Sequence, residues 1–272
     1  MFDFLTETFM VRALIVGILV SLTSALLGVS LVLKRYSMIG DGLSHVGFGA
    51  LSVAAVFGAA PLAVALPVVT AAAFLLLRLN ESSKVKGDSA IAIISTGSLA
   101  IGVISVSLAG GMTVDISNYL FGSILTMSHG DVVLSIVLAS VVILLFVLLY
   151  NKIFAVTFDE AFSKATGIRV SIYNTLIAVL TAVTVVIGMR MMGTLLISSL
   201  IIFPALTSIR VFKSFKAVII CSSVLSVVCF FVGLVSSYML ETPTGATVVC
   251  INIIAFIIFY TVSYIKSNIH RI

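Results

Sequence analysis

Charged residues are absent from positions 13–33, 46–77, 89–114, 132–151, 170–189, 191–209, 217–240 and 242–265, and this spacing constrains the fold more than any motif. A bilayer core about 30 Å thick needs about 20 consecutive apolar residues per helix, so each run but the second supplies one span. The second run is too long for a single crossing, and Gly58 and Pro61 divide it. With 61% hydrophobic and 9% charged side chains, the chain is expected to be an all-α integral membrane protein. The expected architecture is a polytopic helical bundle of about nine spans, one domain over 1–272 with no soluble domain attached. Residues 116–130 are apolar but short, which suits a re-entrant or interfacial segment better than a span. The first run is too long and too rich in Ser, Thr and Gly for a signal-peptide core and is read as a retained span.

Nine spans put the termini on opposite sides of the membrane. With the N-terminus outside and the C-terminus cytoplasmic, thirteen of the 15 Lys and Arg fall in inside segments, and only Arg12 and Arg190 fall outside. The basic excess is therefore an orientation signal. Scattered over separate loops, it argues against nucleic acid as a partner. No GxxxxGK[ST] loop is present, so nothing in this chain is expected to bind or hydrolyse a nucleotide. Cys221, Cys229 and Cys250 lie inside expected spans without paired spacing, which indicates neither a disulfide frame nor a thiolate metal site.

The longest inside loop, 152–169, carries a helical pattern over 157–167: a start at Thr157 with Glu160 three residues on, and a stop at Gly167. Phe158, Phe162 and Ala165 form an apolar stripe beside Asp159, Glu160 and Lys164. Such a helix either rests on the membrane surface or docks a soluble partner, and the pattern fits both.

The informative chemistry is Gly40-Asp41-Gly42-Leu43-Ser44-His45, just past the Lys34-Arg35 anchor. An ionisable residue within a span is costly and marks a functional site by default. Asp41 and His45 are four residues apart, share one helix face, and can hold a cation between a carboxylate oxygen and an imidazole nitrogen. At about 1.5 Å rise per residue from Arg35 they would lie on the order of 9 and 15 Å along a helix. Two ligands are too few for a metal that takes four or more, so the rest must come from elsewhere in the chain, from water or from a symmetry mate. Two Asp and two His across a twofold axis suit zinc or manganese better than copper(I) or calcium. Alternatively Asp41 caps a helix beginning at Gly42 while His45 bonds a neighbouring carbonyl.

Asp115 and Glu241 fall in outside loops, where they either attract a cation, contact an external partner or are simply solvated. His129 beside Asp131 is expected at the start of a span, and Pro204 to kink the span 191–209.

Five ordered blocks extend these observations: LVLKRYSMIGDGLSH at 31–45, VDISNYLFGSIL at 114–125, the loop 157–167, GTLLISSLIIFPALT at 193–207 and ETPTG at 241–245. Together they resemble the permease subunits of metal-ion ABC importers, most closely zinc-uptake permeases. The resemblance implies a permease homodimer of the cobalamin-importer type in the bacterial plasma (inner) membrane. Two cytoplasmic ATPase subunits and an extracytoplasmic metal-binding protein would complete the assembly. It implies no permanently bound cofactor. Zn(II) would be cargo, with Mn(II) or iron the alternative, passing Asp41 and His45. The helix 157–167 would couple to the ATPase through Phe158, Asp159, Glu160, Phe162 and Gly167, and Asp115 and Glu241 become possible outer-loop contacts. The Glu of ETPTG stands where an Asp is common, which leaves that loop's role open. An ion-gradient-driven carrier without an ATPase is a rival, as is an intramembrane hydrolase. For the latter, adjacent Ser44 and His45 face different ways on a helix, which argues against a dyad.

Overall fold

A computed structural model describes residues 7–81, 87–108, 122 and 127–269. Its helices are α1 (Thr8–Leu33), α2 (Ile39–Val56), α3 (Pro61–Glu81), α4 (Gly87–Leu108), α5 (His129–Leu148), α6 (Tyr150–Phe158), α7 (Glu160–Ala165), α8 (Val170–Met192), α9 (Thr194–Val211), α10 (Phe215–Leu240) and α11 (Thr244–Ile269). Among the described residues nine of them, all but α6 and α7, are long and apolar enough to cross a membrane. The long run 46–77 breaks where Gly58 adopts a left-handed φ of 65° and Pro61 opens α3. Most of the segment expected to be re-entrant lies outside the described residues, as does Asp115.

Helices α1, α2, α8 and α9 form the buried centre. Around them, α1 packs on α5 and α10, and α2 packs on α3 and α4. Helices α4 and α11 are mostly open on their outer faces, as expected for elements that meet lipid or another subunit. Small residues make the close approaches possible. A Cβ on Gly49 of α2 would stand 2.5 Å from the Ser98 carbonyl oxygen of α4, so only glycine lets these two backbones meet. Several buried hydroxyls back-bond within their own helices, as Thr181 does to Ile177 at 2.7 Å, which removes the cost of a free O–H in an apolar core.

Spans α8 and α9 are joined by Gly193 alone, whose φ of 87° and ψ of 160° are open essentially only to glycine. Pro204 does not break α9, which runs as one helix from Thr194 to Val211. At the start of α5, Ser128 and Asp131 form a reciprocal capping box, and Arg190 lies 3.6 Å from Asp131. The same end of the bundle holds Arg12, which donates to the Met127 carbonyl. Lys34 and the ends of α9 and α11 lie at the other, where Ser263 donates to the Arg210 carbonyl. The start of α1 and the end of α11 therefore occupy opposite ends.

In the loop, the helix begins two residues later than its spacing suggests. Helix α6 runs through Thr157, and Asp159 is the cap: its carboxylate accepts from the Phe162 N–H at 2.8 Å. Both Asp and Thr can cap, but Thr157 is buried inside α6, whereas Asp159 has the extended backbone a cap requires. Gly167, at φ 83°, ends α7 as expected.

Candidate metal site

Helix α2 begins at Ile39, preceded by Met38, which offers no side-chain cap, so Asp41 is the third residue of the helix and not its cap. The chain bends between Lys34 and Met38, so Asp41 and His45 lie about 3 and 9 Å into α2. That is less far than an unbroken helix from Arg35 would carry them. Around them α2 is closed: Gly40, Gly42, Leu43, Ser44 and Val46 are all buried.

Which way the pair faces follows from its glycine neighbours. A Cβ on Gly40 would meet Ile201 of α9 at 2.9 Å, and one on Gly42 would meet Ile91 of α4 at 2.7 Å. At about 100° per residue, Asp41 and His45 point into the sector between α9 and α4. Their side chains remain 36% and 24% exposed there. A part-open carboxylate within a span does not face lipid; it faces water or another subunit.

Asp41 Oδ2 and His45 Nε2 stand 3.7 Å apart. Two ligands each about 2.0–2.2 Å from one metal ion can be separated by up to about 4.2 Å, so the pair is spaced to share a cation. His45 Nδ1 is buried with no hydrogen-bond partner among the described residues. Ser44 Oγ donates to the Asp41 carbonyl at 2.8 Å and lies 3.3 Å from Ser198 Oγ on α9. It turns away from His45, as the hydrolase dyad would not.

Among the described residues no cluster of three or more His, Cys, Asp or Glu is close enough to hold a metal. Cavities of about 440 Å³ between α3 and α8, about 390 Å³ beside Arg190 and about 230 Å³ between α2, α3 and α4 do not include the pair. One chain thus presents two candidate ligands on a part-open face.

A family model described as the ABC 3 transport family matches residues 6–263, nearly the whole chain. The chain belongs to the ABC 3 transport family. Among ABC 3 relatives, a Thermotoga maritima protein named "Probable metal transport system membrane protein" is 33% identical over 257 residues, 94% of this chain and 90% of its own. The manganese import system permease protein ScaB of Streptococcus gordonii is 27% identical over 265 residues, 96% of this chain and 95% of its own. The structure of PsaBC from Streptococcus pneumoniae in complex with Fab superposes with a TM-score of 0.84 at 28% identity, covering 95% of this chain and 93% of that one.

The remaining ABC 3 positions singled out in the sequence are placed as follows. Phe158 and Phe162 are 57% and 63% exposed, and Phe158 also packs edge-on against Phe215 of α10. Asp159 and Gly167 shape α7 itself. Glu241 is exposed and left-handed at φ 53° in the turn between α10 and α11. That turn is wired by hydroxyls, with Ser237 Oγ 2.9 Å from Thr244 Oγ1 and Thr242 Oγ1 2.8 Å from Thr247 Oγ1. His129 is exposed in the first turn of α5.

Glu160 reaches back to the end of α1, its side chain still 44% exposed. Its Oε1 lies 2.7 Å from Lys34 Nζ and accepts from Asn174 Nδ2 at 3.1 Å, while Lys34 also donates to Asn174 Oδ1. Burial alone would raise the Glu160 carboxyl. The hydrogen bonds from Lys34 and Asn174, with the charges of Lys34 and Lys164, outweigh it and hold the pKa below its ordinary 4.5. Sequence reasoning passed over Asn174 and took Lys34 only as an orientation anchor. The available signal was an Asn in an otherwise apolar span, which needs a polar partner.

Proposed function

We propose that this chain is the membrane-spanning permease of an ATP-driven importer of divalent metal, with zinc as cargo. The observation that carries the reading is the Asp41/His45 pair: two metal-ligating side chains 3.7 Å apart, part-open on an otherwise closed membrane helix, in a chain of the ABC 3 family. With only two ligands from one chain, a second copy related by a twofold axis supplies the other two. The cation is then shared by two carboxylates and two imidazoles. A four-donor set of this kind suits zinc, and the VDISNYLFGSIL and ETPTG blocks resemble zinc-uptake permeases.

Two ATPase subunits would sit at the end that carries α7, with Phe158 and Phe162 as the exposed apolar contacts. An external metal-binding protein would approach the opposite end, near Glu241. The N-terminus is then outside and the C-terminus cytoplasmic, in keeping with the placement of the basic residues. The cycle requires weak, transient holding. A pair completed only across the dimer binds the ion while the copies are together and loses half its ligands when they part.

Manganese is the second reading, favoured by the name of the Streptococcus gordonii relative. Uptake into proteoliposomes containing the permease, its ATPase and its binding protein, with zinc and manganese in competition, tests both. Zinc uptake that requires ATP and resists excess manganese supports the first reading. Preferential manganese uptake moves the assignment to the second, and metal uptake without any ATPase sinks both in favour of a gradient-driven carrier.

A further inference from the structure

Lys34 is a charged residue at 6% side-chain exposure, and its two partners come from two other elements, Glu160 from α7 and Asn174 from α8. Asn174 in turn donates to the same Glu160 oxygen, so the three side chains form a closed triangle. It joins the end of α1 to the loop helix and to a central span.

The chain from Lys34 to the metal pair is stiff. Lys34 caps α1, Arg35 N–H donates to the Val32 carbonyl at 3.0 Å and Tyr36 N–H to the Leu31 carbonyl at 2.8 Å. This is the doubly bonded helix end that normally places glycine at the left-handed position, occupied here by Arg35 at φ 62°. Ile39 N–H then donates to the Tyr36 carbonyl at 3.1 Å and Gly42 N–H to the Met38 carbonyl at 2.9 Å. Hydrogen bonding thus continues from the turn into the part of α2 that carries Asp41 and His45, seven and eleven residues after Lys34. No slack segment separates the two sites.

The geometry points to Lys34 as a positioning residue that transmits displacement of α7 to the Asp41/His45 pair. The inference rests on the permease reading above, in which the ATPase moves α7. A pull on α7 acts through the ammonium on the α1–α2 turn. The turn is rigid, so the first turns of α2 shift as a unit and change how the pair faces the sector between α9 and α4. Asn174 fixes the ammonium against α8, giving the lever a stationary side. An ion pair that served only to hold the fold would have no bearing on how many ions move per nucleotide, and that ratio separates the two roles.

The test uses the full complex in proteoliposomes and reads zinc taken up per ATP hydrolysed. Lys34→Met is expected to assemble with the ATPase and to hydrolyse ATP while uptake per ATP falls about tenfold. The charge swap Lys34→Glu/Glu160→Lys is expected to recover most of the ratio. An unchanged ratio in Lys34→Met overturns the inference. If Lys34→Met does not assemble, Asn174→Ala is read in the same way: a fall supports the lever and an unchanged ratio overturns it. A wild-type complex that takes up no metal on ATP addition would refute the permease reading itself, before any variant is compared.

Discussion

At the scale of single residues, the molecule keeps its unusual charges in two places. Asp41 and His45 are half-buried on a largely buried helix, with Asp41 over a third open and His45 Nε2 turned toward it. Loss of even a partner of a metal ligand costs about 10–100-fold in metal affinity, so Asp41→Asn should lower zinc uptake by at least about tenfold. Thermal unfolding should barely change, because no group among the described residues loses a hydrogen bond to the carboxylate; normal uptake by that variant would end the assignment. Glu160 is paired instead, its Oε1 meeting both Lys34 and Asn174. Its pKa is held below the ordinary 4.5, so its contribution to stability is fully present above that pH and is lost only as pH falls through the lower, folded value. The difference in Tm between wild type and Glu160→Gln should be constant between about pH 5 and 8 and should shrink in more acidic buffer. A difference that disappears near neutrality would contradict the pairing.

At the scale of elements, two features govern how the spans connect and what they present. Gly193 links α8 to α9 in a conformation that a Cβ disfavours, so Gly193→Ala should cost about 1–3 kcal/mol of stability, read as a lowered Tm of the detergent-solubilised protein. Helix α7 is too short to be stable on its own and is held by the Asp159 cap, Gly167 and the Glu160 triangle. That anchoring leaves Phe162 exposed on its surface at 63%. Phe162→Ser should therefore leave Tm unchanged while weakening capture of the ATPase by about 1–2 kcal/mol, roughly tenfold in Kd. An unaltered affinity would return α7 to the membrane surface.

At the scale of the whole molecule, the bundle places the triangle and the Arg12, Asp131 and Arg190 group at opposite ends, with the metal pair on the open face between α9 and α4. Completion of that site by a second copy predicts one ion for every two chains in a titration of the assembled complex. One ion per chain would mean that each copy finds its remaining ligands by itself.

The number of spans, their approximate limits and the reversal of the termini followed from the sequence, because lipid imposes a length on every apolar run and loops collect the charge. The juxtaposition of Asp41 and His45 was legible too, because residues four apart in a helical run lie one turn above another on the same face. The cap at Asp159 was missed because Thr157 and Asp159 are both suitable by type, and only packing buries one of them in α6. The pairing of Glu160 with Lys34 and the part played by Asn174 were not legible, since Lys34, Glu160 and Asn174 are separated by up to 140 residues and share no spacing pattern. The sequence by itself determined a membrane bundle and its pair of metal-type ligands, since both depend on local periodicity in a known solvent. Only the tertiary structure decided which sector that pair faces and what ties α7 to the start of α2, since both depend on contacts between distant helices.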